Sequence, residues 1–119
     1  MLVHPAGGIR AWEAASLLAD EVRAEARRIP YGARYGLVDQ LVRAADAISA
    51  NIAEGSGRKT VPDRLTFFHT ALSSARETLT HLTRCFKAKL FNLRTYRRLT
   101  NRARVTHSML AALIRTLER

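Results

Sequence analysis

YGLVDQLVRAADAISANIAEGSG, residues 35–57, is the stretch whose reading decides the fold. At about 100° per residue, Leu37, Leu41, Ala44, Ala45, Ile48, Ile52 and Gly55 fall on one stripe of a helix. Three of the seven, Ala44, Ala45 and Gly55, are small, so a partner helix can approach closely there. Asn51 sits at the edge of the stripe and Glu54 lies further round, with Gly55 and Gly57 expected to stop the helix. A long helix with polar groups beside its buried face is expected to have more than one neighbour.

Toward the N-terminus, residues 1–9 read as a flexible arm, because Pro5, Gly7 and Gly8 interrupt any periodicity. Residues 10–29 then place Ala11, Trp12, Ala15, Leu18, Ala19, Val22, Ala26 and Ile29 on one side of a helix that Pro30 ends. Toward the C-terminus, Pro62 suits the first turn of a helix over residues 62–90, with Thr60 as its cap. One stripe of that helix is Phe68, Ala71, Leu72, Ala75, Leu79, Leu82, Phe86 and Leu90. A second face, with Phe67, Thr70, Ser74, Glu77, His81 and Cys85, is too mixed for free solvent and too polar for a simple core. It is assigned to contact between copies of the chain, with Phe67 and His81 in the interface. After a turn at Phe91-Asn92-Leu93, residues 93–118 form the last helix, with Tyr96, Leu99, Ala103, Thr106, His107, Leu110, Leu113, Ile114 and Leu117 on its apolar side. Four amphipathic helices, short connections and no strand signal predict an all-α, antiparallel up-down-up-down four-helix bundle over residues 10–119.

The chain has 119 residues and no apolar run of about 18, so no membrane span is expected. Its start lacks the basic and apolar regions of a signal peptide, and Cys85 is the single cysteine. Both features point to a cytoplasmic, reducing location. The charge is the extreme property: 20 Lys+Arg against 10 Asp+Glu, formally +10. No acidic residue lies between Glu77 and Glu118, whereas Lys87, Lys89, Arg94, Arg97, Arg98, Arg102 and Arg104 all do. Arg94, Arg97 and Arg98 crowd the first turns of the last helix, where the macrodipole disfavours cations by about 0.3–1 kcal/mol each. These seven residues are the candidate nucleic-acid contacts. Tyr96 has base stacking open to it, with core packing its expected job.

Chemistry is sparse. Asn51, Glu54, Ser74 and Glu77 come from consecutive helices, but no nucleophile, metal set or substrate loop accompanies the two carboxylates. They are assigned to a structural or intersubunit hydrogen-bond network. Gly55-Ser56-Gly57-Arg58-Lys59 follows a helix C-terminus, which repels anions, so capping outweighs a phosphate cradle. The histidines show no ligand spacing, and no metal or cofactor is expected.

Residues 35–58, YGLVDQLVRAADAISANIAEGSGR, followed by FFHTALSSARETLTHL, resemble the bacterial four helix bundle protein family. That family includes proteins encoded within intervening sequences of large-subunit ribosomal RNA genes, and it is similar to the accessory variability determinant of diversity-generating retroelements. The match rests on Tyr35-Gly36-Leu37, Ala44-Ala45, Ser49, Asn51-Ile52-Ala53-Glu54-Gly55, Ala71-Leu72, Ser74 and Glu77. The resemblance implies a bundle assembling as a ring of five, without known enzymatic activity. For the retroelement relatives it also implies a basic surface that binds nucleic acid and a reverse transcriptase. Two departures stand out: Leu79 replaces a usual second glutamate after Glu77, and Arg94-Thr95-Tyr96-Arg97-Arg98 replaces a commonly acidic helix start. The expectation is a non-enzymatic homopentamer that binds RNA or DNA non-specifically. The alternative is an oligomeric scaffold for an acidic protein partner. An enzyme would require a solvent-reachable Glu54–Glu77 pair lining a pocket.

Overall fold

The computed structural model describes residues 6–34 and 36–119. The elements are α1 (Ala6–Arg27), the single turn α2 (Tyr31–Arg34), α3 (Leu37–Ser56), α4 (Val61–Lys87) and α5 (Leu93–Glu118). There is no strand among the described residues. α1 packs on α3 and α5, and α4 packs on the same two helices from the other side. Sequential helices joined by short turns therefore run up-down-up-down around one core, in a rod of 44 × 21 × 18 Å. No helix among the described residues is long and apolar enough to cross a membrane.

The core follows the apolar periodicity. Leu18, Val22, Leu41, Ile48, Ile52, Phe68, Leu82, Leu99 and Leu110 are all fully buried, and each such side chain contributes about 1.5–3 kcal/mol relative to exposure. In α3 the buried stripe begins at Val38, with Leu37 only half-buried. In α4 the burial extends past the expected stripe to Ser74, Thr78 and Cys85, because α3 packs on that flank as well. Thr78 satisfies its hydroxyl by donating to the Ser74 carbonyl at 2.8 Å.

The helix ends correct several expectations. Residues 6–9, expected in an arm, belong to α1. Gly8 is buried where α1 meets the ends of α3 and α5, and a Cβ there would touch Ser56 and Leu113. Residues 1–5 of that arm, and Tyr35 at the head of the deciding stretch, lie outside the described residues. α3 starts behind Gly36, whose φ of +87° suits glycine. Gly55 is not a stop: it lies inside α3, and a Cβ there would come within 2.8 Å of the Phe68 ring. Its missing side chain is what lets α4 approach. Gly57 closes the helix in a right-handed conformation, its N–H donating to Ala53 and Glu54.

α4 is capped by the Thr60 hydroxyl, which accepts from the Asp63 N–H at 3.2 Å, and Pro62 occupies its first turn. It ends at Lys87 rather than near residue 90. There Leu90 N–H donates to the Cys85 carbonyl and Lys89 N–H to the Phe86 carbonyl, with Lys89 left-handed at φ 64°. That is a Schellman closure with lysine in the position that glycine usually takes. The Asn92 side chain then caps α5 by accepting from the Thr95 N–H at 2.8 Å.

Candidate nucleic-acid interface

The seven cations picked out by the sequence fall into two groups. Arg98 faces α1, where its guanidinium donates to Glu21 and also to Glu25, the latter at 2.9 Å. Arg102, one turn on, is ion-paired with Glu21. Its Nε is buried without a hydrogen bond of good geometry, so charge rather than directionality holds this pair. Only 18% of Glu21 and 16% of Glu25 is exposed, against 40% for each arginine. The site is a clamp between α1 and α5, and its cations are already neutralised.

Lys87, Lys89, Arg94, Arg97 and Arg104 are exposed. None of the ion pairs among the described residues involves them. The first four surround the α4–α5 turn, and Arg104 lies about two turns further along α5. Three of the four basic residues at this turn oppose local preferences. Lys89 takes a left-handed backbone, and Arg94 and Arg97 stand at the positive end of the α5 dipole.

The polar set Asn51, Glu54, Ser74 and Glu77 does not join up within one chain. Asn51 donates to the Ala47 carbonyl of its own helix at 2.8 Å. Glu54 accepts from Arg58 at 2.8 Å, and the Arg58 guanidinium lies 4.5 Å over the Phe67 ring. Ser74 is buried, and Glu77 is exposed. What the α3–α4 flank does contain is an open groove of about 350 Å³ lined by Gln40, Arg43, Ala44, Ala47, Glu77 and His81. Glu54 is not among its walls, so no carboxylate pair lines it. The buried Nδ1 of His81 has no partner. Burial, followed by the charge of Arg84, lowers the pKa of this histidine against the opposing pull of Glu77. Below it in α4, burial raises the Cys85 thiol to about 11, which makes it an inert packing group.

Tyr96 is unavailable as a stacking platform. Its ring stacks on Phe86 at 4.4 Å between centroids, and its hydroxyl bonds Thr83 at 3.0 Å. Two features were missed in the sequence. Glu21 and Glu25 are four residues apart and meet Arg98 and Arg102 with the same spacing; this matched pattern was the available signal. Arg76 was also passed over. It is exposed on α4 and lowers the pKa of His107 on α5, second to burial as the cause. Only adjacency across two helices reveals it.

The family model for 23S rRNA-intervening sequence proteins matches residues 8–112. A similar solved structure is the crystal structure of a protein of unknown function from the S23 ribosomal protein family of Bacteroides thetaiotaomicron. It shares 18% identity over 87% of this chain and 97% of that chain, with a TM-score of 0.78. At this identity the likeness establishes the fold. No curated protein matches the sequence.

Proposed function

Since the chain belongs to the 23S rRNA-intervening sequence protein family, we propose that it is a non-enzymatic, homo-oligomeric member that binds nucleic acid without sequence preference. The observation that carries this reading is the sorting of cations. The α1 carboxylates take up Arg98 and Arg102, and Lys87, Lys89, Arg94 and Arg97 around the α4–α5 turn, with Arg104 further along α5, are left uncompensated. Such a surface binds phosphates by releasing condensed counterions, and it needs no base-specific contact. Arginine's planar fork suits bidentate phosphate contact.

Self-association is supported by the α3–α4 groove, whose walls include Ala44 and Ala47 and whose floor carries an unpaired His81 nitrogen. A second copy seated there would give the half-buried His81 a neighbour. A ring of five, implied by the resemblance, would present the cationic end five times and multiply weak contacts into avidity.

A salt titration against structured RNA, paired with light-scattering mass, tests both parts. The expected result is tight binding at about 50 mM salt that collapses by about 200 mM, on an assembly heavier than one chain. Absence of binding at low salt, or an affinity indifferent to salt, ends the nucleic-acid reading. A monomeric mass ends the oligomer.

A further inference from the structure

We propose that the α4–α5 seam is the track for the sugar-phosphate backbone of duplex RNA, with Arg76 of α4 completing a line begun by Arg97 and Arg104 of α5. This rests on the nucleic-acid reading above and adds where the strand lies and which strand form is preferred.

The two helices are antiparallel, and two cross-contacts mark their register: Thr83 bonds the Tyr96 hydroxyl, and His69 approaches Glu118 at 3.3 Å. Between them, the charge of Arg76 is felt at His107. At about 100° per residue, Arg76, Thr80 and Lys87 share the α4 flank that carries His69 and Thr83. Arg97 and Arg104 occupy the outer side of α5 that leans toward it. At about 1.5 Å per residue, Arg76 and Lys87 lie roughly 16 Å apart along α4, and Arg97 and Arg104 roughly 10 Å apart along α5. Glu118, at the far end and engaged with His69, is the carboxylate on this seam. Glu77 belongs to the opposite flank of α4, in the groove against α3.

Strand form follows from what lies between the cations. Ser73, Thr80 and Ser108 are exposed, and their hydroxyls make no hydrogen bond among the described residues. Free hydroxyls spaced among arginines suit phosphate oxygens and the ribose 2′-hydroxyl, the group by which a protein tells RNA from DNA. Single-strand binders rely on aromatic platforms for unstacked bases. The aromatic residues at this seam, Phe86 and Tyr96, are half-buried and stack on each other, and the Tyr96 hydroxyl is held by Thr83. A cationic, hydroxyl-bearing, platform-free ridge matches a helical backbone whose bases stay paired.

The test is fluorescence anisotropy of the full chain with one short RNA duplex, the DNA duplex of the same sequence, and one strand of that RNA, all at one salt concentration. Duplex RNA is expected to bind about tenfold more tightly than the single strand and more tightly than duplex DNA. Arg76→Glu and Arg104→Glu are each expected to weaken duplex RNA about tenfold and to reduce the salt slope by about 1. Thr80→Val should narrow the gap between RNA and DNA. Arg76→Gln serves if Arg76→Glu fails to fold, and Arg98→Ala, off the seam, should leave affinity unchanged. A single strand or duplex DNA that binds as well as duplex RNA, or Arg76 variants that bind like the parent, would overturn the seam while leaving nucleic-acid binding intact. Loss of every nucleic acid at low salt would overturn both readings.

Discussion

Arg97 and Arg98 are adjacent in the chain, yet α5 turns them to different fates. Arg98 reaches across to Glu21 and Glu25 of α1, whereas Arg97 stands in solvent without a carboxylate. The same contrast recurs at Arg102, held by Glu21, and Arg104, held by nothing among the described residues. The α1-facing flank of α5 is thus a structural joint and the outer flank a free cationic surface. A tally of arginines per helix conceals this, because about 100° of rotation separates consecutive residues and decides which neighbour each one meets.

The widest separation between the flanks is expected in binding. Reversing the outer pair, Arg97→Glu with Arg104→Glu, should lower nucleic-acid affinity by about a hundredfold and flatten the salt slope by roughly 2, read by anisotropy across a salt series. Equal losses from Arg98→Ala with Arg102→Ala would erase the distinction. Stability should separate the flanks in the opposite sense. Arg98→Ala leaves two largely covered glutamates without their shared partner and should cost about 1–2 kcal/mol, a value tempered by the arginine's own exposure. In a thermal melt that is a fall of roughly 5–10 °C for a chain of this size. Arg97→Ala should stay within about 0.5 kcal/mol of the parent.

Acidification probes two histidines that each face a cation: His107 on the α4–α5 side, and His81 in the α3–α4 groove, where Glu77 opposes Arg84. His107 has its pKa lowered by burial and then by Arg76; His81 by burial and Arg84. The folded state therefore resists protonating both, while the unfolded chain takes up protons from about pH 6.5 downward. Stability is full above that pH and is lost as the pH falls below it toward the depressed folded values. Melts at decreasing pH should show this decline, and His107→Gln should make it shallower. A decline unchanged in His107→Gln would remove that histidine from the account.

The smallest effect lies in the turn between the helices. Lys89→Gly relieves a left-handed lysine and should stabilise the fold by about 0.5–1 kcal/mol while removing one charge from the free surface. A variant that melts higher and binds nucleic acid less tightly would indicate a residue kept for its ligand. Unchanged binding would make Lys89 incidental to the interface.

Much of the fold was legible from residue spacing. The buried members of α1, α3, α4 and α5 follow the 3.6-residue repeat, with Leu18, Ile48, Phe68 and Leu110 at its centre. Thr60 and Pro62 announced the start of α4. The misreadings came where a local signal met a packing demand. Gly55 looks like a stop but serves as a gap for Phe68, and Gly8 looks like a break in an N-terminal arm but lies buried in α1. The candidate site was only half legible. Five of its seven cations stand free, while within one copy Asn51, Glu54, Ser74 and Glu77 make no hydrogen bond to one another: Asn51 bonds its own helix and Glu54 takes Arg58.

The sequence by itself determined the four amphipathic helices, their turns and the cationic excess of the C-terminal half. Periodicity, caps and charge are all written within a few residues of one another. Only the tertiary structure decided which arginines remain available, because that depends on the rotation and register of α5 against α1 and α4. It is the match between carboxylates on one helix and guanidinium groups some 75 residues later that turns a uniform run of positive charge into one closed flank and one open one.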